Sequence, residues 1–127
     1  MKAKNILLID DNEVDNYISR QMLLKNEIGE NIVVQSSAVD ALRYLDSIRN
    51  EPDQLPDYIF LDIRMPEMDG FEFLDEYSLF PDAIKNRCTI FMLTSSSDQK
   101  DIDRAAQYPY VKRFLTKPLD VNVLKEL

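Results

Sequence analysis

The stretch Tyr58-Ile59-Phe60-Leu61-Asp62-Ile63-Arg64-Met65-Pro66, followed by Met68-Asp69-Gly70, decides how this chain is read. Four apolar residues run without interruption into a carboxylate, and a loop marked by proline and glycine follows. A short continuous apolar run is how a strand buried on both faces of a parallel sheet reads; a strand with one wet face would alternate. Four further runs share this character: Ile6 to Ile9, Ile32 to Val34, Ile90 to Leu93 and Val111 to Leu115.

Helix-length segments separate the runs. From about Glu13 to Lys25, Val14, Ile18, Met22 and Leu23 fall at helical spacing, and Gly29 follows as a stop. From about Ala38 to Arg49, Val39, Leu42, Leu45 and Ile48 form one stripe. A third helix starts near Phe71 and ends before Pro81, a fourth and more polar one covers about 98–107, and a last one starts at Pro118. The stretch Asn50 to Asp57, with two prolines, reads as a surface loop. Five βα repeats imply an α/β fold, a parallel sheet with helices on both faces, in a single domain over 1–127.

Composition narrows the function. The net charge is −8 and there is no histidine, which excludes Ser-His and Cys-His catalysis and histidine metal sites. The acidic balance argues against nucleic acid and against an anionic membrane surface. No run approaches the ~20 apolar residues of a membrane span. The single cysteine, Cys88, reads as structural and fits a reduced, cytoplasmic setting.

Ligands of open parallel α/β sheets bind beyond the carboxyl ends of the strands. Strand one ends in Asp10-Asp11, strand three in Asp62, strand four in Thr94-Ser95-Ser96, and strand five near Thr116-Lys117-Pro118. Each piece alone has a plain explanation. Asp10-Asp11-Asn12 and Thr94 suit helix caps, Asp62 a turn, and Lys117 a solvated lysine before a proline at the first helical position. Together they bring three carboxylates, a hydroxyl and an ammonium group to one edge of the sheet. Clustered carboxylates call for a cation, and a few hard oxygen ligands suit Mg²⁺. Three Asp, one Lys and one Mg²⁺ make a neutral site.

These blocks resemble the receiver domain of two-component response regulators: Ile9-Asp10-Asp11, Leu61-Asp62-Ile63-Arg64-Met65-Pro66, Leu93-Thr94-Ser95 and Phe114-Leu115-Thr116-Lys117-Pro118. The resemblance covers essentially the whole chain. It implies a doubly wound, flavodoxin-like five-stranded sheet of order 2-1-3-4-5. It implies Asp62 as phosphoacceptor, a Mg²⁺ site of Asp10, Asp11, Asp62 and the Arg64 backbone carbonyl, and Thr94 and Lys117 as groups binding phosphoryl oxygens. Thr94 and Phe114 would form the switch, acting on the surface of the fourth helix, fifth strand and last helix. The Lys117-Pro118 bond is expected to be cis, and Arg64 and Ser96 stand where side chains influence the lifetime of the phosphoryl group.

The implied partners are a sensor histidine kinase or a histidine phosphotransfer protein upstream and an unidentified protein downstream. No enzymatic turnover is expected beyond self-phosphorylation and slow self-dephosphorylation. Two other readings compete: a degenerate, phosphorylation-independent adaptor, and a small phosphohydrolase with an aspartyl nucleophile. The second normally places its nucleophile at the end of strand one in an Asp-x-Asp pattern, whereas this chain has Asp10-Asp11. Gly70 is expected to serve a turn of positive φ, and Tyr108 and Tyr110 either face a partner or pack against the sheet edge.

Overall fold

A computed structural model describes residues 3–95 and 98–127. The five apolar runs are five strands: β1 (Ala3–Ile9), β2 (Gly29–Gln35), β3 (Tyr58–Asp62), β4 (Thr89–Thr94) and β5 (Val111–Thr116). All four pairings are parallel, and the sheet order is β2-β1-β3-β4-β5. The helices are α1 (Glu13–Lys25), α2 (Ala38–Ser47), α3 (Gly70–Tyr77), α4 (Asp82–Arg87), α5 (Gln99–Ala105) and α6 (Val121–Leu124), with one 3₁₀ turn at Pro52–Gln54.

Strand alternation sorts the core into two layers. Leu7, Ile9, Ile59, Leu61, Ile90 and Met92 face one side, where Ala41, Leu45, Phe71, Leu74 and Tyr77 of α2 and α3 meet them. Ile6, Leu8, Phe60, Phe91 and Leu93 face the other, against Leu23 of α1 and Leu124 of α6. Burying each such side chain contributes roughly 1.5–3 kcal/mol, and β3, buried along its whole length, lies at the centre. That placement explains the unbroken apolar run before Asp62.

Local chemistry sets the helix starts. The Asn12 side chain caps α1 by accepting from the Asp15 backbone N–H at 2.9 Å. Asp69 and Glu72 form a reciprocal capping box on α3. Ser37, Asp98 and Asp120 cap α2, α5 and α6.

The structure departs from the sequence reading in four places. The segment between α3 and β4 carries a helix of its own, α4, so the helix read as fourth is α5 and the last is α6. Six residues started by Pro81 and bounded by Cys88 are too short to show helical periodicity. Gly29 opens β2 instead of stopping α1; the chain reverses at Asn26 and Glu27, the latter at φ 54°. Pro118 is not the first residue of the last helix, because Asp120 takes the cap and α6 starts at Val121. Gly70 does not have positive φ; the left-handed residue of that loop is Glu67, at φ 69°. Glycine is required at 70 by close packing: a Cβ there would lie 2.5 Å from the Asp62 carbonyl oxygen and 3.0 Å from Ile63 Cα.

Candidate functional site

Because all five strands run the same way, their carboxyl ends share one edge of the sheet. β1 delivers Asp10 and Asp11 there, β3 delivers Asp62, β4 delivers Thr94, and β5 delivers Lys117 one residue past its end. A cleft of about 260 Å³ opens between them, with Asp10, Asp11, Asp62, Arg64, Ser95 and Lys117 in its wall. One carboxylate oxygen from each of Asp10, Asp11 and Asp62 lies within 4.8 Å of the others. Asp10 and Asp62 are buried and Asp11 is exposed.

Capping does not consume this acidic pair. Asn12 is the cap, and Asp10 accepts from the Asn12 backbone N–H through Oδ1 at 3.0 Å. The Asn16 side chain holds the Asp10 carbonyl at 2.8 Å, which fixes the turn from β1 into α1. The Asp62 carboxyl titrates at about 6, far above its ordinary value. Burial is the main cause and the Asp10 charge adds to it, with Lys117 opposing both. A desolvated carboxyl beside a like charge behaves this way.

Lys117 is the counter-charge. Its Nζ donates to Asp10 Oδ2 at 2.5 Å and to Asp15 Oδ2 at 2.8 Å, and lies 3.6 Å from Asp62 Oδ1. Burial works against its charge, but the bonds to Asp10 and Asp15 and the Asp62 charge outweigh it and raise its pKa. The Lys117 backbone N–H donates to the Thr94 carbonyl at 2.7 Å, which ties the end of β4 to the loop after β5. The Lys117-Pro118 bond is cis.

Thr94 is buried. Register pairs Met92 with Phe114 and Thr94 with Thr116, so Thr94 and half-buried Phe114 share a face one diagonal step apart. Arg64 leaves the loop after β3 and pairs with Asp101 of α5 at 2.6 Å. Ser96 lies outside the described residues.

Sequence reading missed two participants. Asp15 is one of two acids in the first turn of α1, and only the docking of that helix turns it towards Lys117. Asp101 is a buried acid on a polar helix, and no local pattern marks it as the partner of Arg64. The tyrosines near β5 pack inward. Tyr108 stacks on Phe71 and donates to Asp75 at 2.8 Å, and Tyr110 donates to the Leu74 carbonyl at 3.1 Å. Cys88 is buried, and that burial pushes its thiol up to about 11, as a structural residue requires. No helix among the described residues is long and apolar enough to cross a membrane.

Known proteins share both the fold and the sequence pattern. Response regulator Rcp1 of Synechocystis is 28% identical over 124 residues, covering 95% of this chain and 81% of that protein. Its solved Mn²⁺-bound form matches with a TM-score of 0.74 at 25% identity, over 97% of this chain and 86% of that one. A two-component response regulator from Cytophaga hutchinsonii matches with a TM-score of 0.92 at 28% identity, over 99% and 94% of the two chains. The sensor histidine kinase CheAY of Helicobacter pylori is 31% identical over 92% of this chain, which spans only 14% of the kinase. The model of the response regulator receiver domain matches residues 6–127, and the chain belongs to that family of two-component signalling domains.

Proposed function

We propose that this receiver domain accepts a phosphoryl group on Asp62. The observation that carries the reading is the Asp10, Asp11 and Asp62 oxygen cluster within 4.8 Å, with the Lys117 ammonium beside it. Asp10, Asp11, Asp62 and the Arg64 backbone carbonyl would hold Mg²⁺, a small oxygen-loving cation. The burial and the neighbouring Asp10 charge that raise the Asp62 pKa suit a divalent cation, and the relative Rcp1 has been solved with Mn²⁺. When bound, Mg²⁺ supplies charge that offsets the carboxylates and the incoming phosphoryl oxygens.

An Asp62 oxygen attacks the phosphorus of a phosphohistidine or a small phosphodonor. A new P–O bond forms, the donor's P–N or P–O bond breaks, and the leaving group departs with the bonding electrons. Lys117 places its ammonium on a phosphoryl oxygen, and the Thr94 hydroxyl donates to another. Phe114 follows Thr94, and the face of α5, β5 and α6 changes with it. Phosphorylation biases this switch by the contacts it makes in one state only.

The chain is an acceptor and not a turnover enzyme; its only reactions are self-phosphorylation and slow self-dephosphorylation. It works in the cytoplasm, with a sensor histidine kinase or a histidine phosphotransfer protein upstream and a protein target downstream. Incubation with Mg²⁺ and acetyl phosphate tests the assignment. A mass gain of one phosphoryl group is expected, and the gain vanishes in Asp62→Asn. No gain, or a gain that survives the substitution, overturns it.

A further inference from the structure

Asp15 makes the site one negative charge richer than its three metal-binding carboxylates. Its Oδ2 lies 2.8 Å from Lys117 Nζ, close to the 2.5 Å of the Asp10 contact and well inside the 3.6 Å to Asp62. An ammonium group has three N–H donors. In the resting protein two are committed to Asp10 and Asp15, and the third faces Asp62 at a distance too long for a hydrogen bond.

Asp15 is also well held. The Asn12 side chain accepts from its backbone N–H, which fixes the first turn of α1 against the strand edge. Its side chain is 34% exposed, against 7% and 8% for Asp10 and Asp62. The Asp15 link is therefore the most solvated of the three, and the easiest to exchange for a new anion.

We infer that Asp15 is a positioning residue that holds Lys117 back from the acceptor and restrains phosphorylation of Asp62. The inference rests on the phosphoacceptor reading. Two effects act in one direction. The Asp15 carboxylate competes with a phosphoryl oxygen for a Lys117 donor. It also leaves the cleft with a residual −1 once a divalent cation is counted, against the neutral site that three Asp, Lys117 and Mg²⁺ would give. An anionic donor is repelled by that charge, and the effect grows with the donor's own charge.

The test compares wild type, Asp15→Asn and Asp15→Glu, each incubated with Mg²⁺ and either acetyl phosphate or phosphoramidate, which carries less negative charge. Intact mass reports the phosphorylation rate. Asp15→Asn is expected to speed labelling by acetyl phosphate by about three- to tenfold, with a smaller gain for phosphoramidate. Asp15→Glu keeps the charge and should stay near the wild-type rate. A separate readout is the Lys117 Nζ ammonium resonance in ¹⁵N-lysine protein without donor: its hydrogen exchange should quicken in Asp15→Asn. A structural defect would not sort the two donors by charge. An Asp15→Asn protein no faster than wild type, a gain equal for both donors, or an Asp15→Glu protein as fast as Asp15→Asn overturns the inference while the phosphoacceptor reading stands. A wild type that takes no phosphoryl group on Asp62 overturns both.

Discussion

Arg64 Nη2 and Asp101 Oδ2 meet at 2.6 Å, joining the loop after β3 to α5. The guanidinium is largely exposed and the carboxylate nearly buried, at 63% and 11% of their side-chain surfaces. The two ends are therefore not equivalent. Arg64→Ala leaves a buried carboxylate without its cation, whereas Asp101→Ala leaves a solvated arginine. We expect Arg64→Ala to cost about 1–2 kcal/mol in urea unfolding, and a double-mutant cycle with Asp101→Ala to give a coupling of about 1 kcal/mol. Additive losses would show that the contact does not link the loop to α5.

Gly70 is a second support of this loop, packed against the Asp62 backbone. Its missing Cβ leaves room for the Asp62 carbonyl and Ile63 Cα, both backbone atoms that cannot rotate away. Gly70→Ala is expected to lower stability by about 2–3 kcal/mol and to slow labelling of Asp62. Thermal unfolding and intact mass check the two effects.

The pH dependence follows from Asp62. Its folded pKa of about 6 lies above its ordinary 3.8, so the native state holds a proton that the unfolded chain has released. Stability of the metal-free protein should therefore fall as pH rises from about 4 to about 6, by on the order of 1 kcal/mol after allowing for solvent. Asp62→Asn should flatten this slope and stabilise the metal-free protein. At the proposed site Mg²⁺ would compete with the same proton, so its affinity should rise across this window and level off above it. Urea titrations and calorimetry at stepped pH measure both.

Lys117→Ala removes the counter-charge from Asp10, Asp15 and Asp62 together. We expect a loss of about 2–3 kcal/mol without metal, part of which is recovered on adding Mg²⁺. A loss that Mg²⁺ leaves untouched would show that the lysine acts through packing and not through charge.

Cys88 should resist alkylation in the native state, since its thiol is buried and its pKa is raised to about 11. Labelling by iodoacetamide at neutral pH is expected to track unfolding across a urea series. Fast labelling in the absence of denaturant would contradict the buried assignment.

The sequence by itself determined the layered architecture and most of the site. Parallel strands buried on both faces leave unbroken apolar runs, and strands that run the same way end at the same edge. Reading the residue after each run therefore finds Asp10, Asp11, Asp62, Thr94 and Lys117 without knowledge of any contact. Tertiary structure alone decided what reaches the edge from the helices. Asp15 and Asp101 look like any other helical acid until the rotation of α1 and α5 against the sheet aims them at Lys117 and Arg64. The same limit hid the reason for Gly70, which is not its own torsion but a carbonyl eight residues back that comes within contact only when α3 packs. Periodicity is a local property of the chain; the distance between two side chains on different elements is set by how those elements dock.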